Sequence, residues 1–138
     1  MQIRVAEHRE DITNCFPLMN ELRPHLTLDT FLTRIERLRN AGYQLIYLDD
    51  SGIKALAGIR IGEWLHTGKY LEIEELVTTE GNRSQGYGGY LFDWIKNYAT
   101  EMNCNQVRLV SGVKRVDAHR FYENKGMTFE ARYFSLTL

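Results

Sequence analysis

The segment Arg83-Ser84-Gln85-Gly86-Tyr87-Gly88-Gly89 places three glycines within four residues, directly ahead of Tyr90-Leu91-Phe92-Asp93-Trp94-Ile95. Glycine permits positive φ and lets a ligand approach with no Cβ in the way. The first amides of a helix lack intrahelical acceptors, and the helix dipole favours an anion there. The segment therefore reads as a phosphate cradle. It lacks the Gly-Lys-Ser/Thr ending of a nucleoside-triphosphate loop and lies too late in the chain to open a dinucleotide-binding unit. Just upstream, Tyr70-Leu71-Glu72-Ile73-Glu74-Glu75-Leu76-Val77-Thr78 carries three carboxylates. Strand alternation puts Glu72 and Glu74 on one face, and Leu71, Ile73 and Glu75 on the other. Two carboxylates on a central strand are costly to bury unless they are paired or used. The use would be to receive an ammonium group and help take its proton, because an alkylamine is almost all protonated at pH 7 and must be neutral to attack a carbonyl. The plainer alternative is an edge strand with a solvated acidic face.

The elements that must position these groups follow from pattern. Ile3 to Ala6 reads as a first strand, and Asp11 to about Leu22 as a helix that Pro17 should kink or break near Phe16. Thr27 or Asp29 can cap a second helix to about Asn40, with Leu28, Phe31, Leu32, Ile35 and Leu38 at helical spacing and Gly42 as its stop. Tyr43 to Leu48 and Ile53 to Ile61 are strands joined by Asp49-Asp50-Ser51-Gly52, a hairpin turn. A second turn at His66-Thr67-Gly68-Lys69 leads into the acidic strand. The glycine segment opens a helix to about Met102, with Leu91, Ile95, Tyr98, Ala99 and Met102 on one stripe. Gln106 to Val110 is a strand, Asp117 to Asn124 a short helix, and Met127 to Leu138 one or two closing strands. A mixed sheet with helices on both faces is the expected product.

Composition narrows the class. At 138 residues the chain forms one domain, 1–138, able to bury roughly two-thirds of its unfolded surface. With 43% hydrophobic and 25% charged residues it has ordinary globular composition, and no apolar run is long enough to span a membrane. Met1-Gln2-Ile3-Arg4-Val5 offers no apolar signal region, so a cytoplasmic protein is expected. Cys15 and Cys104 are far apart with no ligand spacing around them, and none of the four histidines suggests a metal site. The formal net charge of −1 argues against nucleic acid as a partner. Arg83 to Lys125 carries seven Lys/Arg against four Asp/Glu, a net +3 that leaves −4 for the remainder. That asymmetry suits a polyanionic cofactor beside a cationic substrate.

Arg83-x-x-Gly86-x-Gly88 resembles the pyrophosphate loop of the GCN5-related N-acetyltransferases (GNAT). A second block, Ala118-His119-Arg120-Phe121-Tyr122 followed by Gly126-Met127, resembles the Ala-x-x-Phe-Tyr helix of the same family, in the same order and about thirty residues on. The resemblance covers most of residues 50–138 and is nearest to small bacterial acetyltransferases acting on aminoalkylphosphonates and similar amines. It implies an α/β (α+β) fold with a mixed, mostly antiparallel sheet and helices on both faces, in the order strand-helix-helix-strand-strand-strand-helix-strand-helix-strand. It implies acetyl-coenzyme A as cosubstrate, a small-molecule primary amine as acceptor, and direct attack without an acyl-enzyme. A protein lysine or N-terminus as acceptor, or a non-catalytic acetyl-coenzyme A sensor, are the alternatives, and a homodimer is left open. By resemblance Leu76, Val77 and Thr78 pair with the pantetheine arm, Arg83, Ser84, Gln85, Gly86, Tyr87, Gly88 and Gly89 hold the pyrophosphate, and Tyr122 protonates the leaving thiolate. Arg115 stands where many members have Asn and would serve a phosphate instead. In the family this strand often carries a bulge, which would shift which glutamate points inward. Parity therefore does not separate Glu72, Glu74 and Glu75, and Glu74 is the favoured base.

Overall fold

Three consecutive runs of apolar alternation build the middle of a five-stranded sheet. The computed structural model describes residues 1–79 and 86–138. In chain order the elements are β1 (Gln2–Val5), α1 (Arg9–Leu22), α2 (Leu28–Asn40), β2 (Tyr43–Asp49), β3 (Ile53–Trp64), β4 (Gly68–Thr78), α3 (Tyr87–Glu101), β5 (Gln106–Arg108) and α4 (Val116–Asn124). The strands lie in the order β1-β2-β3-β4-β5. The first four pair antiparallel, and β5 runs parallel to β4. Two compact units divide the chain, Met1–Arg108 with the whole sheet and α1 to α3, and Leu109–Leu138 with α4.

In the first unit, α1 and α2 bury Ile12, Cys15, Leu18, Met19, Phe31 and Ile35 against Tyr43, Leu45, Tyr47 and Leu56. Alternation then gives the opposite sheet face Ile46, Leu48, Ala55, Ala57 and Ile59, all fully buried, and α3 supplies Leu91, Phe92, Ile95 and Ala99 to the core. Burial removes every one of these side chains from water at roughly 1.5–3 kcal/mol for each large aliphatic or Phe. The β2–β3 hairpin turns through Ser51 and Gly52, both at positive φ, with the Gly52 amide donating to Asp49 Oδ1 at 3.0 Å.

Two expectations need adjustment. Of the kink or break expected at Pro17, the break does not occur, since α1 is one helix from Arg9 to Leu22. The amide that proline lacks would have bonded back to Thr13, and Leu18 and Met19 beyond it are buried, so packing holds the helix together across the gap. The closing strands expected over Met127–Leu138 are absent among the described residues. Their alternation is present, but alternation alone does not make a strand, which also requires a regular backbone ladder.

Helix α2 begins with reciprocal capping: the Thr27 hydroxyl accepts from the Thr30 amide at 3.2 Å, and the Thr27 amide donates to Thr30 Oγ1 at 2.9 Å. Thr27→Ala should cost about 1 kcal/mol and lower Tm by about 3 °C, read by calorimetry.

Candidate active site

Strand β4 lies between β3 and β5, but β5 covers it only at residues 70–72, so Glu72 is interior to the sheet while Glu74 and Glu75 lie beside an open edge. Its pairing with β3 slips once: Gly58 lies opposite Glu75, Ile59 lies opposite Ile73, and Glu74 is the extra residue. This bulge changes the parity expected from simple alternation. Ile73 stays with the buried Ile59, while Glu75 reaches the hydroxyl of Tyr43 on the face covered by α1 and α2. Glu75 was expected on the face of Leu71 and Ile73, and the bulge moves it to the other. Glu72, opposite Arg60, shares that face, because Arg60 is itself paired with Tyr43. All three carboxylates thus gather on one side.

Each of the three takes an arginine. Arg108 Nε donates to Glu72 Oε1 at 2.8 Å, Arg60 Nε to Glu74 Oε2 at 2.8 Å, and Arg23 Nη2 to Glu75 Oε2 at 3.2 Å. Arg23 Nη2 also donates to the Glu74 carbonyl at 3.1 Å, which ties the turn after α1 to the bulge itself. Glu75 is used on both oxygens, since Oε1 accepts from the Tyr43 hydroxyl at 2.7 Å. Among the described residues Glu74 accepts a side-chain hydrogen bond only from Arg60, on Oε2. Burial pushes the Glu74 carboxyl above the usual range, Arg60 pulls it back, and Glu75 and Glu72 add to the rise. A carboxylate whose pKa is raised toward neutrality is better suited to accept a proton than an ordinary one. Tyr43 is raised well above its ordinary value, first by burial and then by Glu75, and remains a neutral donor.

The far edge of β4 is the second feature. It pairs with β5 only through Tyr70, Leu71 and Glu72. From Ile73 to Thr78 that edge has no strand partner among the described residues. Leu76, Val77 and Thr78 pair on the other side with Ala57, Leu56 and Ala55. An extended ligand can therefore add to β4 as a strand would. Beyond it, Gly86 is the N-cap of α3 in left-handed conformation (φ 80°, ψ 7°), with open space where a Cβ would stand. The first bond of the helix runs from the Tyr90 amide to the Gly86 carbonyl, so the amides of Tyr87, Gly88 and Gly89 precede the helix ladder. The Tyr87 hydroxyl donates to Asp50 Oδ2 at 2.6 Å and fastens this turn to the β2–β3 hairpin. Arg83, Ser84 and Gln85 lie outside the described residues.

In the second unit Tyr122 is half-buried on α4, its ring 5.5 Å from that of Phe121 in an edge-on arrangement. Burial raises its hydroxyl above the ordinary value, with Arg115 opposing, so it carries its proton at neutral pH. Arg115 caps α4, its amide donating to the Gly112 carbonyl at 3.0 Å. A ring nitrogen of His119 lies 2.8 Å from that same carbonyl, consistent with a packing role rather than a base. The Cys15 thiol is buried and pushed up to about 12, by burial first and by Asp11 second, so it is no nucleophile. Among the described residues no three His, Cys, Asp or Glu gather as a metal site, and no helix is long and apolar enough to cross a membrane.

Sequence reasoning missed Arg23, Arg60, Arg108, Tyr43 and Asp50. The available signal was a lone charge inside an apolar strand, as in Ile59-Arg60-Ile61 and Val107-Arg108-Leu109. Such a charge needs a partner when half-buried.

The model of the acetyltransferase (GNAT) family matches residues 5–128. A Bacillus subtilis (strain 168) protein described as the uncharacterized N-acetyltransferase YhdJ is 39% identical over 129 residues, 91% of each chain. The aminoalkylphosphonate N-acetyltransferase of Salmonella typhimurium is 29% identical over 124 residues, 89% of this chain and 78% of that one. Among solved structures, a putative acetyltransferase from Agrobacterium tumefaciens superposes with a TM-score of 0.84 at 24% identity, covering 100% of both chains, and shares the fold.

A Cβ at Gly58 would overlap the Tyr43 hydroxyl and Glu75 Oε1. Gly58→Ala should displace that pair and cost about 1–3 kcal/mol, seen as a lower midpoint in urea unfolding. An unchanged midpoint would mean that the Tyr43–Glu75 bond contributes nothing to stability.

Proposed function

The chain belongs to the acetyltransferase (GNAT) family and is an acyltransferase enzyme, and we propose that it moves an acetyl group from acetyl-coenzyme A to the primary amine of a small molecule. The observation that carries this reading is the open β4 edge from Ile73 to Thr78, running from the Glu74 bulge toward the glycine-rich start of α3. The residues present fit the cosubstrate. Backbone groups of Leu76, Val77 and Thr78 would pair with its amide-bearing arm, and the amides at the start of α3 would meet its pyrophosphate. Arg83, Ser84 and Gln85 are proposed in the same role on sequence alone, and Arg115 as a phosphate partner.

In the proposed reaction Glu74 Oε1 receives the ammonium and takes or relays its proton. The free amine then attacks the thioester carbonyl, whose oxygen is polarised by a strand amide near Val77. As the C–N bond forms and the C–S bond breaks, the Tyr122 hydroxyl gives its proton to the departing thiolate, and the proton the nitrogen then sheds restores the phenol through solvent. Most of the acceleration comes from holding the two reactants in line. The acceptor is proposed to be a small amine that also carries an anionic group. Support comes from the relative that acts on aminoalkylphosphonates and from the charge on the β4 face, where three carboxylates are matched by three arginines. Such a face has little net pull on a simple polycation and can meet both ends of a zwitterion.

The test is a screen with acetyl-coenzyme A, read as free thiol release, across 2-aminoethylphosphonate, a polyamine, an amino sugar and a lysine peptide. Turnover of the anionic small amine supports the reading. Preference for the peptide would make the chain a protein acetyltransferase, and binding of acetyl-coenzyme A without any turnover would make it a sensor.

With an acceptor in hand, Glu74→Gln should lower kcat/KM by roughly 10²-fold or more. It should also remove the acidic limb of the pH profile. A base works only when ionised, so activity is lost as pH falls through the Glu74 pKa, and its raised value puts that limb above the ordinary carboxylate range. Glu72→Gln should cost less, and Glu75→Gln should show mainly as lost stability. A dominant kinetic loss at Glu72 or Glu75 would move the base to that residue.

Tyr122→Phe deletes only the hydroxyl. It should leave the affinity for acetyl-coenzyme A unchanged and lower kcat by roughly 10- to 10³-fold. An unaltered kcat between pH 6 and 9 would make Tyr122 a packing residue.

A further inference from the structure

Strand β5 meets β4 over three residues, and the last rung sets Glu72 beside Arg108. Beyond that rung the β4 edge has no strand partner among the described residues. Parallel pairing is the weaker kind of ladder per residue, so three rungs alone hold a strand end poorly. Side chains at the last rung supply what the backbone lacks. Arg108 Nε donates to Glu72 Oε1 at 2.8 Å, and its guanidinium carbon lies 3.8 Å from the centre of the Trp64 ring and 3.6 Å from that of Tyr70. The two rings stand edge-on to each other, 6.1 Å apart. Both belong to the β3–β4 hairpin, as does Glu72. Tyr70 lies over Gly62 of β3, where a Cβ would overlap its hydroxyl. Trp64 is 48% exposed, so the core does not hold its ring in place. Nη1 of Arg108 is buried and has no hydrogen-bond partner among the described residues. The guanidinium is therefore oriented by two rings and one carboxylate rather than by a full set of hydrogen bonds.

We propose that Arg108 is a positioning residue for the cosubstrate, a latch that fixes where the pairing of β4 with β5 ends. The free edge begins at Ile73, one residue after the latched Glu72, and the bulge at Glu74 follows at once. An arm paired with Leu76, Val77 and Thr78, its pyrophosphate at the start of α3, would bring its thioester end back toward this rung. A firm last rung gives the slot one width at the end where the chemistry takes place. Fraying of the rung would lengthen the free edge and cost the reacting groups their alignment. Lysine at this position would keep the charge but not the stacked, donating geometry. The latch stands on its own contacts, and its consequence for the cosubstrate rests on the acetyl-transfer reading.

The test uses the full chain with Arg108→Lys and Trp64→Leu, each checked for folding by circular dichroism. Hydrogen exchange of the free protein, followed by mass spectrometry, reads the latch directly. Arg108→Lys should speed exchange in peptides covering residues 69–73 and 105–109 and leave those of the β1–β2 pair unchanged. Calorimetric titration reads the consequence with two ligands: coenzyme A, and 3′-phosphoadenosine diphosphate, which keeps the pyrophosphate and lacks the arm. Arg108→Lys should weaken coenzyme A by about tenfold or more and leave the fragment within about twofold, because only the arm reaches the latch. Trp64→Leu removes one ring and should weaken coenzyme A by about two- to fivefold. Unchanged exchange at β4 and β5 in Arg108→Lys overturns the proposal. So does full retention of coenzyme A affinity, or an equal loss for both ligands, which marks general destabilisation. Failure of the unaltered protein to bind coenzyme A would overturn the cosubstrate reading instead, and exchange alone would then decide the latch. Should Arg108→Lys unfold, Trp64→Leu decides by the same two measurements.

Discussion

A half-buried carboxylate on an interior strand must be matched, and much of this molecule is arranged around matching three of them. Glu72, Glu74 and Glu75 draw Arg108, Arg60 and Arg23 from β5, β3 and the turn after α1. These arginines do more than neutralise. Arg23 fastens the α1–α2 turn to the bulge, and the Arg108 guanidinium lies between the rings of Trp64 and Tyr70, 3.8 and 3.6 Å from their centroids. A planar guanidinium can stack and donate at once, which an ammonium cannot. The ion pairs therefore join elements far apart in the chain around one strand face.

The same strand serves both halves of the proposed chemistry because its two edges are treated differently. Toward β3 it is paired from Gly68 to Thr78 at every residue but Glu74, which holds its backbone in place. Toward β5 it is paired for three residues and then released. A rigid strand with one free edge is pre-organised for a ligand, since the ordering cost of that backbone has already been met in folding. Tyr87, bonded to Asp50, extends the rigidity to the start of α3.

Much of this was legible in the residues. The Asp49–Gly52 turn, the Thr27 cap and the Leu91, Ile95, Ala99 stripe are local features, and each appears where its pattern put it. The helix runs unbroken through Pro17 because neighbours on both sides of the proline are held by the core, a tertiary effect invisible to propensity. The Met127–Leu138 strands failed for the opposite reason: alternation marks a segment able to pair, not one that has a partner. Within the site, the residue types of the glycine segment and acidic strand are what suggest the proposed chemistry. The partners of the glutamates did not announce themselves, because they lie 14 to 52 residues away.

The bulge has a consequence best put as phase. Before it, even-numbered residues of β4 point toward α1 and α2; after it, odd-numbered ones do. Glu74 sits where the count changes. Remove it in thought, and Ile73 next to Glu75 alternate as an unbroken strand would, each still opposite its present partner in β3. The sheet thus has no need of this residue for its own pairing. Glu74 is a surplus letter in an otherwise regular line, and the two halves of the strand keep their meaning without it. What the extra residue adds lies outside the ladder: its carbonyl takes Arg23 and its carboxylate takes Arg60.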